Sequence, residues 1–373
     1  MSERLADSET LRPLESLAYA LGRPQASAVI KREFADFLVD EELAFVPTGE
    51  GEHVFLQVRK TDASTIDVAR QLSAITNVAP ADIGYSGMKD RRGETTQWFS
   101  VKLPETKQDA LAALDGDRFQ VLTVARNARK LRIGSHARNH FRLRLRGCQG
   151  EPGEYERRLE ALSTQGVPNY FGAQRFGAQM SNLQQVSSLL RQVLDDPSSV
   201  KRGSRIRRGM LYSAARSYLF NQVLSARIER GDWAEYIDGD VMSLDGSGRL
   251  FCVGEAQPWD ESLAQRLQAQ DIHPTGPLPG AISVKDKYVS TGKAADIEKT
   301  VLESLRWMVD GLSAFGLEAG RRPLRFAVGN LQWRWEDGAE GSTEGKDLCL
   351  DFTLPRGAYA TSLLRELCHL REK

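Results

Sequence analysis

Residues 140–147 read HFRLRLRG, and their strict alternation decides what kind of domain this chain builds. In an extended chain Phe141, Leu143 and Leu145 fall on one side and Arg142, Arg144 and Arg146 on the other, which is a strand with one apolar face. The same texture extends toward the N-terminus. DFLVDEEL (36–43) and HVFLQVRK (53–60) have strand character, with TGEGE (48–52) as the turn between them. STIDVARQLSAI (64–75) is expected as a helix: Ser64 and Asp67 are spaced as a capping pair, and Val68, Leu72 and Ile75 share a face. DIGYSG (82–87) and TTQWFSVKL (95–103) then flank a KDRR loop, and FQVLTVAR (119–126) adds a further strand. The first 150 residues therefore predict a mixed α+β sheet domain.

Beyond Gly150 the pattern turns mainly helical. Helices are expected at 154–165, 181–194 and 210–229, the third with Leu211, Ala214, Ala215 and Tyr218 on one face. DVMSLDGSGRLFCV (240–253) reads as a hairpin turning at Asp245–Gly248, HPTGPLPG (273–280) as a loop, and about 295–313 as another helix. After EAGRRP (318–323) strands return: LRFAV (324–328), LQWRWE (331–336) and DLCLDFTL (347–354). A last amphipathic helix carries Ala360, Leu363, Leu364 and Leu367. These final strands are too few to enclose a core, so they are expected to rejoin the N-terminal sheet. The chain is accordingly divided into a sheet domain, 1–164 and 319–373, interrupted by an inserted domain, 165–318.

At 373 residues the chain exceeds one ordinary core. No apolar run approaches the roughly 20 residues that span a bilayer. The start, MSERLADSET, is charged and lacks the apolar centre of a leader, so the cytoplasm is the expected location. Four scattered cysteines and five histidines show no metal-ligand spacing, and there is neither a P-loop nor a G-x-G-x-x-G opening a helix. Chemistry without a cofactor, or no chemistry, is expected.

The 50 basic and 50 acidic residues balance, but not locally. Between Arg126 and Gly147 stand eight Lys or Arg and no acid; between Pro197 and Ile228 stand seven, again with no acid. Either tract alone reads more readily as a solvated face. Two on separate segments favour a nucleic-acid partner held by its phosphates.

Four stretches carry candidate chemistry. In GYSGMKDRRGETTQWFSV (84–101), Asp90 lies between Lys89 and Arg91–Arg92 on a loop between strands. It is either a turn residue or an ionised carboxylate acting as nucleophile or general base. In VPNYFGAQRFG (167–177), Tyr170 and Phe171 either stack on bases, with Arg175 on a phosphate, or pack an interdomain joint. Asn139 offers a donor and an acceptor that complement a uracil or adenine edge, with Phe141 presenting a ring beside it; the alternative is a turn Asn before a strand. In LPRGAYATSLLREL (354–367), Tyr359 stands at the mouth of a helix that either receives an anion or simply starts there.

Taken in order, GYSGMKDRRGETTQW, VPNYFGAQRFG, SAARSYLFNQV (213–223) and LPRGAYATSLLREL resemble the TruD family of tRNA pseudouridine synthases, from about Ala28 to Leu367. The resemblance implies a V-shaped molecule whose catalytic α+β domain is interrupted by a mainly helical insertion. It implies an isomerase that converts a uridine of tRNA, expected at position 13, to pseudouridine through an aspartate and without a cofactor. Asp90 falls on the family's catalytic aspartate and Lys31 on a lysine near it. Phe37 and Asn139 fall on residues that contact the target nucleotide. Phe141 matches the phenylalanine carried where other pseudouridine synthases have tyrosine, and Tyr359 stands where the family often has Phe, with a hydroxyl added. Arg175 lies in the family's second block. A tRNA partner and a monomeric state are expected. A non-catalytic RNA-binding or RNA-folding module, or a cofactor-free hydrolase using Asp90, are the alternatives on the same residues.

Overall fold

The computed structural model describes residues 11–103, 114–196, 205–254, 257–282, 287–338 and 345–372. In chain order its strands begin β1 (Ser27–Ile30), β2 (Phe37–Leu43) and β3 (His53–Thr61), followed by helix α1 (Thr65–Thr76). Next come β4 (Gly84–Tyr85), β5 (Glu94–Lys102), β6 (Phe119–Asn127), β7 (His136–Gln149), α2 (Pro152–Gln165) and β8 (Val167–Pro168). The middle of the chain forms α3 (Ser181–Asp195), α4 (Arg205–Arg230), β9 (Val241–Leu244), β10 (Leu250–Cys252), α5 (Glu261–Gln268) and β11 (Ile272–Leu278). Then follow α6 (Gly292–Leu302), α7 (Arg306–Ala314), β12 (Gly320–Pro323), β13 (Arg325–Phe326), β14 (Gly329–Glu336), β15 (Asp347–Pro355), α8 (Ala360–Leu367) and β16 (His369–Glu372). Among the described residues no helix is long and apolar enough to cross a membrane.

The chain divides into two compact units, one of residues 24–167 and 326–372, the other of 11–23 and 168–325. The first is a mixed, largely antiparallel sheet in the order β14-β15-β7-β2-β5-β3-β6, with β1, β4 and β16 attached off that path. The strands that follow the insertion do rejoin the N-terminal sheet: β15 runs antiparallel to β7 from Leu348↔Leu145 to Pro355↔Arg138. The stretch 48–52 does not join neighbours, because β5 lies between β2 and β3, parallel to the former and antiparallel to the latter. Helix α1 starts at the expected capping box, in which Ser64 Oγ accepts from the Asp67 N–H and the Asp67 carboxylate accepts from the Ser64 N–H. Its Val68 and Leu72 cover Val54, Leu56, Val58, Phe99 and Val101. On α2, Tyr155 is fully buried, packs edge-on to Trp335 at 5.4 Å and donates its hydroxyl to Ser27 O at 2.9 Å.

The second unit combines α3–α7 with a four-stranded sheet in the order β10-β9-β11-β12. Two expectations are corrected here. HPTGPLPG is mostly strand: β11 pairs with β9 through residues 272–274 and with β12 through 275–278. Because the strand changes partners midway, each half is paired on one side, and Pro274 and Pro277 can turn their missing N–H away from the ladder. The helix expected at 295–313 is two helices joined by a 3₁₀ turn, Glu303–Leu305, which sets both Leu302 and Leu305 into the core.

The domain boundary also differs from expectation at the N-terminus. Residues 11–23 belong with the second unit, where Ala18 N–H donates to Ser225 Oγ at 2.9 Å and Tyr170 and Tyr218 donate hydroxyls to Ala18 O and Arg12 O. At the other boundary, 320–323 form β12 on the second unit's sheet.

The second unit holds a buried ion cluster. Arg227, on α4, reaches Asp232 at 2.6 Å and Asp240 at 3.0 Å, and its own side chain and that of Asp240 are buried. Burial raises the Asp240 carboxyl above its usual range even with Arg227 beside it. Removing the guanidinium leaves that buried carboxylate without the cation beside it, with the Ile237 N–H still donating to it. Arg227→Met is therefore expected to lower stability by about 3–5 kcal/mol, read as an earlier urea transition of the full chain.

Candidate active site

The loop carrying Asp90 runs between β4 and β5 and is held at nearly every residue. Ser86 Oγ bonds His136 Nδ1 at 2.7 Å, and Ser86 O accepts from the Gly134 N–H. Burial lowers the His136 pKa below its ordinary value, and Lys89 adds to the effect, so the ring is neutral near pH 7. Gly87 O accepts from Gln97 Nε2, and the Lys89 N–H donates to Thr65 Oγ1, itself bonded to Gln97. Lys89 Nζ lies 2.5 Å from Glu41 Oε2 in a buried ion pair, and the other Glu41 oxygen accepts the Trp98 N–H. Gly93 ends the loop with φ +152°, where a Cβ would stand 2.7 Å from Phe37 O. Only glycine fits that backbone and that approach.

Within this clamp the Asp90 side chain remains half exposed. Its Oδ1 is 3.6 Å from Lys31 Nζ, and the same ammonium lies 4.1 Å from the centre of the Phe37 ring. Lys31 follows β1 in the left-handed region, φ +57°, a conformation that costs a non-glycine residue free energy. Phe37 is buried and meets Phe141 edge-on at 6.3 Å; Phe141 stacks in turn on Phe352 at 5.3 Å.

Asn139 stands opposite Glu41 in the β2–β7 ladder, so it adjoins the residue that holds Lys89, the neighbour of Asp90. It is buried, and its Oδ1 has no hydrogen-bond partner among the described residues. An orphaned buried acceptor costs stability unless a ligand supplies the donor. Tyr359 is the N-cap residue of α8, half buried, and follows a turn in which Gly357 takes φ +81°. That turn is tied to the start of β7: the Arg356 N–H donates to Ala137 O at 3.2 Å and its guanidinium to Gly134 O.

The structure thus brings Lys31, Phe37 and Asp90 into contact, joins Phe141 to them through Phe37, and sets Asn139 and Tyr359 on adjoining elements. Arg175 lies in the other unit, its guanidinium 5.3 Å from the Phe171 ring. The block around it is packing: Phe171 is buried, and its N–H and C=O are both bonded by the Asn221 side chain at 2.9 Å.

Within the basic tract 126–146, the arginines of β7 carry acid partners across the ladder. Arg138 pairs with Glu42, Arg142 with Asp40, Arg144 with Asp347 and Glu336, and Arg146 with Asp36. These acids sit on neighbouring strands or just before β2, so this face of the sheet is locally neutralised. Arg129 and Arg132 stay exposed and make no ion pair among the described residues. In the other tract, 201–204 lie outside the described residues.

Residues that sequence reading passed over also build the site. Glu41, Thr65, Gln97 and His136 all fix the loop, and Lys60 reaches it from β3. Lys60 is 1% exposed and donates at 2.7 Å to the main-chain oxygens of Ala63 and of Asp90 itself. Burial lowers its pKa to about 8, against the raising influence of Asp90. The available signal was parity: Lys60 falls on the same strand face as Val54, Leu56 and Val58.

A half-exposed carboxylate with a cation beside it, a ring under that cation and an unanswered amide acceptor nearby suits a planar polar ligand with a reacting centre. Comparison with known proteins gives that arrangement a family. The sequence profile described as "tRNA pseudouridine synthase D (TruD)" matches residues 14–195 and 188–367. The tRNA pseudouridine synthase D of Nitrosococcus oceani is 42% identical over 357 residues, covering 95% of this chain and 94% of its own. That of Aeromonas hydrophila is 39% identical over 359 residues, covering 96% of both chains. A crystal structure of a TruD chain from Methanosarcina mazei, 21% identical, shares the fold with a TM-score of 0.71 over 94% of this chain and 95% of its own. This chain belongs to the TruD family.

Proposed function

We propose that this chain isomerises a uridine of tRNA to pseudouridine, at position 13 on the family resemblance, with Asp90 as the reacting carboxylate. The observation that carries the reading is Asp90 held on a clamped loop, paired with Lys31 and left accessible. The names of the relatives supply the substrate class.

The reaction breaks the N1–C1′ bond, turns the detached uracil and joins its C5 to C1′, with the C5 proton lost and one returned at N1. Nothing is oxidised and no group enters, so the rearrangement asks for no cofactor. Asp90 supplies an electron pair, as nucleophile or as base, and Lys31 balances its charge. The target base must leave its stack to reach this carboxylate. Asn139 then meets the uracil edge with the acceptor that lacks a partner among the described residues, and an amide offers a donor beside it. Phe37 and Tyr359 form apolar walls, and Phe141 supports Phe37 from behind. Retaining the loose uracil through its rotation is the task of these walls.

The test uses tRNA transcript tritiated at uracil C5. Wild-type chain should release tritium, whereas Asp90→Asn should release it about 10²–10⁴-fold more slowly with unchanged tRNA retention on a filter. Release by neither protein, with both binding, would sink the reading in favour of an RNA-binding module. Asn139→Leu keeps the shape of the side chain and removes the amide; kcat/KM should fall about tenfold. Gly93→Ala should lower kcat by about 10²-fold by pushing the Asp90 loop off Phe37, with the fold checked by circular dichroism.

A further inference from the structure

We infer that Lys60 is a positioning residue, whose buried ammonium holds the main chain at Asp90 and thereby aims the carboxylate; this rests on the reading of Asp90 as the reacting group. The geometry is unusual for a lysine. Lys60 is 1% exposed, and its two partners, Ala63 O and Asp90 O, are neutral carbonyls at 2.7 Å. A charge placed in a core without an adjacent carboxylate costs free energy. Lys102, on the neighbouring strand, keeps its head in solvent beside Glu52.

What the buried ammonium gains is a bridge. Ala63 lies just before α1 and Asp90 at the tip of the loop, so one Nζ ties the strand, the approach to α1 and the reacting residue together. Asp90 is then held between two lysines, Lys31 at its carboxylate and Lys60 at its carbonyl. The charged groups facing Lys60 are Asp90 and Lys89 from the loop and Asp67 from α1. Glu41 already occupies Lys89, so Lys60 feels the loop's aspartate as its principal attraction.

Because the Lys60 pKa is lowered to about 8, the bridge weakens in mild alkali. As pH rises through that value the ammonium loses a proton, and with it the charge that faces Asp90. The experiment is tritium release measured as kcat and KM from pH 6 to 10 for wild type, Lys60→Met and Lys60→Arg. Wild type should lose kcat with a midpoint near pH 8. Lys60→Met should show kcat about 10–10²-fold lower, unchanged KM and filter binding, and no limb at that midpoint. Lys60→Arg, charged throughout, should recover part of kcat and also lack the limb. Wild-type kcat in Lys60→Met, or the same limb persisting in either variant, would overturn the inference; uracil N3–H ionises in all three proteins and is cancelled by the comparison. Should Lys60→Met fail to fold, the limb in Lys60→Arg decides. A wild type that releases no tritium removes the reading of Asp90 itself, which is a different failure from an active wild type matched by Lys60→Met.

Discussion

Strand β7 is the member on which both the sheet unit and the site depend. It pairs with β2 along one edge and β15 along the other, and its far end also receives β1. Phe37 and Glu41 come from β2, Phe352 and the turn before Tyr359 from β15, and Asn139 and Phe141 from β7 itself. The β2 and β15 registers set these residues on one face at fixed spacing. A slip of one residue in either ladder would send the slipped strand's share of that set to the opposite face. Alternation of apolar and charged residues on β7 disfavours the slip, since it would set the neighbour's apolar side chains on the arginine face and its acids on the apolar one.

The two faces of this strand divide the labour. The apolar face carries the site and its supporting rings. On the other, the arginines find Asp36, Asp40, Glu42, Glu336 and Asp347. Exposed pairs of this kind add little stability each, but opposite charges facing across a ladder favour the correct register over its neighbours. The exceptions in burial are Asp347 and Asp36; Asp36 accepts from both Arg146 and the Glu33 N–H, so that the turn leading into β2 is fixed just before Phe37. The Arg146 guanidinium is stabilised further by that hydrogen-bonded carboxylate.

Much of this was legible in the chain before any coordinate. Period-two alternation on residues 140–147 and 347–354 placed the strands, and the rejoining of 347–354 to the early sheet followed from the need to bury a face. Asp90 was legible locally only as one of two readings, a turn residue or a reacting carboxylate, because the residues around it suit both; the family resemblance chose between them. HPTGPLPG misled because its composition reports local backbone preference, while the partner switch that tolerates its prolines is tertiary. The pairing of the arginine run was hidden for a related reason: the acids that neutralise Arg144 lie some 200 residues later in the chain. Lys60 was hidden because a lysine in a strand reads as surface, and nothing local says that two carbonyls wait for it in the core.

The split of the sheet unit around residues 168–325 has a consequence for synthesis. Leu145 and its partner Leu348 are separated by more than half the chain, so at roughly 5–20 residues per second one edge of β7 stays open for about 10–40 seconds after it leaves the ribosome. An open strand edge of that length is a template for pairing with another chain, and closely spaced positive charge is what natural edges carry against it. Arg144 and Arg146 wait through the same interval for Asp347 and Glu336, so the charge balance of this face is completed only when the chain's own C-terminal strand arrives.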